Sequence, residues 1–91
     1  MNQDKIKLIG LWNKVAFNYG KLGPNYWDKF GERLINLSHI KEGVYVLDIG
    51  TGRGATLFPA SRRVGVNGKI IGIDICGNMV KMTNDEIDRQ N

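Results

Sequence analysis

Two acids and three glycines carry the chemistry open to this chain. Asp48 stands near the end of a short apolar run, Tyr45-Val46-Leu47-Asp48-Ile49, and Gly50-Thr51-Gly52-Arg53-Gly54 follows at once. Asp74 closes a second apolar run, Lys69-Ile70-Ile71-Gly72-Ile73, 24 positions after Gly50 and 20 after Gly54. An acid within a buried strand is costly unless it has a partner. Glycines at alternate positions permit positive φ angles and let backbone approach a ligand that a Cβ would block. A carboxylate offers two acceptor oxygens, which suits the paired hydroxyls of a ribose. Asp is also favoured as a helix N-cap, so Asp74 has a purely structural alternative. No group here is arranged for proton transfer: His39 is the only histidine and Cys76 the only cysteine, so no catalytic residue and no metal site are nominated.

The elements around these residues must form strand, glycine turn and helix, which points N–H groups and a helix N-terminus at a nucleotide-like ligand. Tyr45–Ile49 is the first strand. The helix after the glycines is predicted from Thr56 to Val64, because Pro59 is tolerated only within about the first turn. Arg62 and Arg63 fall in its last turn, where cations are favoured. Gly65-Val66-Asn67-Gly68 forms the return loop, Lys69–Ile73 the second strand, and a further helix carries Met79, with a polar tail from Met82 to Asn91 that frays at its end. Upstream, Leu8, Ile9, Leu11, Trp12, Val15, Ala16 and Tyr19 make one helical stripe, and Tyr26, Trp27, Phe30, Leu34 and Leu37 another. Both stripes are expected to pack in a core. His39 follows the second helix, where an imidazole suits the negative end of the dipole without any function.

Leu47-Asp48-Ile49-Gly50-Thr51-Gly52-Arg53-Gly54 resembles the acid-x-Gly-x-Gly-x-Gly motif of class I S-adenosylmethionine-dependent methyltransferases. Gly68-Lys69-Ile70-Ile71-Gly72-Ile73-Asp74, followed by Met79, is similar to that family's second strand and its terminal acid. Trp12-Asn13-Lys14-Val15-Ala16 with Tyr19 resembles the N-terminal helices of the ubiquinone and menaquinone biosynthesis methyltransferase group. The resemblance implies an α/β fold, the N-terminal part of a doubly wound Rossmann-like domain: two helices over residues 1–42, then a β-α-β-α unit over 43–91. It implies S-adenosylmethionine as cofactor, with Asp48 toward the ammonium and Gly50, Thr51, Gly52 and Gly54 along the methionine part. Asp74 would take the ribose and Ile75 the adenine, with Met79 either in the core or facing the adenine. Tyr19 would approach the amino-acid end, although Gly20 stands where an Asp commonly follows. Cys76 stands where the family often has Ser, so a helix cap is lost. Because this cofactor has no phosphate, Arg53 is expected to be exposed.

The same glycines also fit the G-x-G-x-x-G/A dinucleotide fingerprint, and Asp74 would suit an NAD ribose. Asp48 beside a pyrophosphate and 40 preceding helical residues speak against it. A non-enzymatic remnant or interaction module is the third possibility. Composition is that of ordinary globular material, 42% hydrophobic and 24% charged, with a mild net charge of +4. No basic block interleaved with aromatics points to nucleic acid, and no apolar run approaches a membrane span. One cysteine suits a reducing cytoplasm. The acceptor is expected to be a small molecule, which the motifs do not specify. With only one parallel neighbour available to Tyr45–Ile49, these residues alone are expected either to self-associate through the other strand edge or to fold only partly.

Overall fold

The computed structural model describes residues 2–16 and 26–90. Six elements succeed one another: α1 (Gln3–Val15), α2 (Tyr26–Ser38), β1 (Tyr45–Ile49), α3 (Leu57–Val64), β2 (Lys69–Ile73) and α4 (Gly77–Gln90). Helix α1 starts slightly earlier than its apolar stripe, because Asn2 is its N-cap and accepts the Lys5 N–H at 2.8 Å. Helix α3 begins after Thr56, which places Pro59 third in the first turn, and it ends at Gly65 (φ 68°), whose N–H returns to the Ser61 carbonyl.

Strands β1 and β2 pair in parallel, with Tyr45 beside Lys69, Asp48 beside Gly72 and Ile49 beside Ile73. Alternation along each strand gives two faces. Val46, Asp48, Ile70 and Gly72 lie on the face that α3 shields through buried Leu57, Ala60 and Val64. Tyr45, Leu47, Ile49, Ile71 and Ile73 form the other face and are exposed, Ile49 to 76%. Among the described residues the sheet has these two strands, so each keeps one unpaired edge. Gly72 is needed within β2 because a Cβ there would meet the Thr51 hydroxyl at 2.8 Å.

Of the two apolar stripes upstream, the second is not core, and the first is buried only at Ala16 among its described residues. Helix α2 leans on α3 through Gly31 and Ile35, whereas Tyr26, Trp27, Phe30, Leu34 and Leu37 are all exposed, Phe30 to 70%. The reason is backbone contact: a Cβ on Gly31 would lie 1.9 Å from the Ala55 carbonyl oxygen, so the face bearing the smallest residue is the one that docks. In α1, Ile6, Leu8 and Leu11 are exposed, and the helix is held at its C-terminal end, where Ala16 joins Cys76, Met79 and Met82 in a small core against α4. Periodicity finds a face suited to burial but not the element that covers it.

His39 adopts φ 57° directly after α2, the left-handed position usually taken by glycine. Its place is therefore set by backbone geometry. The polar tail from Met82 is helical as far as Gln90, with Arg89 paired to Glu86. No helix among the described residues is long and apolar enough to cross a membrane.

Candidate functional site

A pocket of about 620 Å³ opens at the C-terminal ends of β1 and β2. In open parallel sheets this is where ligands bind. Its polar lining comes from Gly50, Gly52 and Asp74, and its apolar lining from Ile49, Ile73, Ile75, Met79 and Trp12. The turn that builds it is tied to β2, since the N–H groups of Gly50 and Thr51 both donate to the Ile73 carbonyl, at 2.8 and 3.0 Å. Gly50 (φ 74°) and Gly52 (φ 53°) require glycine, and a Cβ on either would meet no protein atom within 4 Å. Both positions therefore keep open space beside the backbone. Gly54 serves another purpose: a Cβ there would strike the Phe58 ring at 2.6 Å.

Asp74 joins the two strand ends. Its Oδ2 accepts the Gly52 N–H and its Oδ1 the Cys76 N–H, each at 2.8 Å. These bonds fix the carboxylate plane and leave each oxygen a further acceptor direction. The structural and ligand-facing readings of Asp74 are thus compatible, although it precedes α4 by more than an N-cap would. Asp48 is half-buried, and its Oδ2 accepts from the hydroxyls of Thr51 (2.8 Å) and Thr56 (2.6 Å). These donors are what an acid inside a strand needs.

Of the residues singled out in the sequence, Gly50, Gly52, Asp74, Ile75 and Met79 line one pocket. Asp48, Thr51 and Gly54 are not in its lining; they brace the turn from the α3 side. Tyr19 lies outside the described residues. Arg53, expected to be exposed, is half-buried: its Nη1 donates to the Ala16 carbonyl at 3.0 Å, fastening the turn to the end of α1.

Three supporting residues escape sequence reasoning. Thr83 is buried in α4 and donates to the Gly52 carbonyl at 2.7 Å. Its signal is only the four-residue spacing from Met79. Trp12 is legible as apolar but not as pocket wall. Asn13 replaces the missing cap of α4 from another helix, its Oδ1 accepting the Asn78 N–H at 3.1 Å and the Cys76 thiol at 3.0 Å. The Asn78 side chain answers by donating to the Asn13 carbonyl at 3.0 Å.

Residues 40–91 match the family described as "Methyltransferase domain". The chain belongs to that family. It is 44% identical over 82 residues to the aklanonic acid methyltransferase of a Streptomyces species, covering 90% of this chain and 37% of the relative. With the nocamycin O-methyltransferase of Saccharothrix syringae it shares 41% over 73 residues, covering 80% and 26%. A SAM-dependent methyltransferase of Aquifex aeolicus superposes with a TM-score of 0.60 at 35% identity, over 66% of this chain and 32% of that one. The fold is accordingly the helix-helix-β-α-β-α portion of a Rossmann-like methyltransferase, as the Leu47–Gly54 motif implied. The chain spans between 26% and 37% of the length of these relatives and 32% of the solved structure. The relatives favour this family over the dinucleotide alternative.

Proposed function

We propose that this chain is the cofactor-holding part of an S-adenosylmethionine-dependent methyltransferase acting on a small-molecule acceptor. The observation that carries it is the pocket itself, in which the Asp74 carboxylate and the backbone of Gly50 and Gly52 stand among apolar residues at two parallel strand ends. That lining fits a ligand with a ribose, a flat base and a short polar chain. Asp74, already oriented by two N–H donors, accepts from the ribose hydroxyls. Ile75 and Met79 supply apolar contact for the base, and the glycine backbone passes along the amino-acid part. Asp48, held by Thr51 and Thr56, places negative charge behind the turn, where it favours an ammonium. Such a cofactor contributes a sulfonium methyl group, which a nucleophile attacks in line. The residues here orient one reactant and exclude water from one side of it. The relatives' names include an O-methyltransferase, so an oxygen acceptor is the first to try.

Calorimetry with S-adenosylhomocysteine and NAD in parallel tests the assignment. S-adenosylhomocysteine is expected to bind the more tightly; tighter binding of NAD overturns it.

A further inference from the structure

Helix α1 buries little along most of its length, yet its last turn is fastened at two separate places on the pocket rim. At one, Asn13 receives the Asn78 N–H and the Cys76 thiol, and the Asn78 amide reaches back to the Asn13 carbonyl. At the other, the Arg53 guanidinium inside the glycine turn donates to the Ala16 carbonyl at 3.0 Å and contacts the Met82 sulfur at 3.9 Å. Trp12 lies next to the first fastening and lines the pocket together with Ile75 and Met79. Ala16 supplies the apolar contact between them, fully buried against Cys76 and Met79.

We infer that Asn13 and Arg53 are positioning residues that latch α1 across the pocket and so hold Trp12 as a wall of the cofactor site. This rests on the S-adenosylmethionine assignment above. If the wall exists only while α1 is docked, a ligand touching Trp12 favours the docked state, and its apparent affinity is scaled by the docked fraction. Both latch points report on occupied elements of the site. Asn13 holds the start of α4, which carries Met79, and Arg53 directly follows Gly52, whose backbone lines the pocket. The inference therefore predicts coupling in both directions, with ligand tightening α1 and loss of the latch weakening ligand.

The test uses the chain with Trp27→Phe, which leaves Trp12 as the only indole. S-adenosylhomocysteine should shift the Trp12 emission to shorter wavelength. Asn13→Ala and Arg53→Ala should each weaken its affinity about fivefold or more, the effect of losing on the order of one to two hydrogen bonds from a docking equilibrium. Asn13→Asp keeps an acceptor for Asn78 and Cys76, and Arg53→Lys keeps a donor for Ala16, so both should restore most of the affinity and the emission shift. Normal affinity in both alanine variants with an unmoved Trp12 emission overturns the latch while leaving the cofactor assignment intact. Loss of affinity that the conservative variants do not rescue also overturns it. Failure of the unsubstituted protein to bind S-adenosylhomocysteine overturns the cofactor assignment, and the latch with it.

Discussion

Replacing Asp74 separates its two duties. In the structure its carboxylate accepts two backbone N–H groups at 2.8 Å, from Gly52 and Cys76. A hydrogen bond to a charged group contributes roughly 1.5–3 kcal/mol, and for a half-buried carboxylate the lower end applies, so Asp74→Ala should cost about 3 kcal/mol. At about 4–8 °C per kcal/mol for a domain of this size, the melting temperature of the unliganded protein should fall by roughly 12–24 °C. Asp74→Asn is the sharper variant. Its amide has one acceptor oxygen for two N–H donors, and the local bond to Cys76 should keep it. The Gly52 N–H then faces an NH₂ group and the glycine turn loosens, so Asn should recover no more than about half of the stability lost to Ala. Affinity for S-adenosylhomocysteine should drop at least about tenfold in both variants, since the ribose loses a charged acceptor. Scanning calorimetry and titration of the same samples provide the two readouts. An unliganded melting temperature within about 3 °C of the parent for Asp74→Ala would mean that these bonds contribute nothing net. The account of the carboxylate as a brace would then be wrong.

Other expectations follow from single contacts. Gly31→Ala should destabilise by several kcal/mol, on the order of the severe end for single substitutions, because its Cβ would lie 1.9 Å from the Ala55 carbonyl oxygen; a denaturation midpoint near the parent's would refute that contact. His39→Gly should stabilise by about 1 kcal/mol by relieving a left-handed backbone, and an unchanged or lower midpoint would show that the side chain matters more. The Arg89 and Gln90 side chains lower the Glu86 pKa from 4.5, so their support for the end of α4 is present above pH 4.5 and should be lost as pH falls through the lowered value. Amide protection factors at the end of α4, in which the intrinsic pH dependence of exchange is divided out, should fall on acidification in the parent and be less pH-dependent in Glu86→Gln. The exposed face of Tyr45, Leu47 and Ile49 beside an open strand edge should drive self-association, and a monomer by light scattering at high concentration would refute it.

The strand, turn and helix around Asp48 and the glycines were legible because each signal there is local: a short apolar run, glycines where φ is positive, and a proline that fixes where α3 begins. Asp74 was legible as a strand-terminal acid for the same reason. What could not be read depends on contacts across the chain. Gly54 looks like its neighbouring glycines, but Phe58 decides its role. Arg53 looks like a surface residue until α1 brings the Ala16 carbonyl to it. The stripes of α1 and α2 announce apolar faces, yet glycine at position 31 and the bonds of Asn13 decide which sides dock.

The cap of α4 comes from a residue 65 positions away, and the Arg53 bond to Ala16 spans 37. Such contacts require long loops to close before they contribute anything, whereas the β1-α3-β2 unit forms over shorter separations. Folding should therefore proceed with α1 helical early, through its own Asn2 cap, but unattached until the strand pair is in place. Asn13→Ala would then leave the folding rate almost unchanged and accelerate unfolding, a φ-value near zero. A φ-value near one would instead make α1 part of the nucleus. On the expected order, the pocket acquires its Trp12 wall only as the last step of folding.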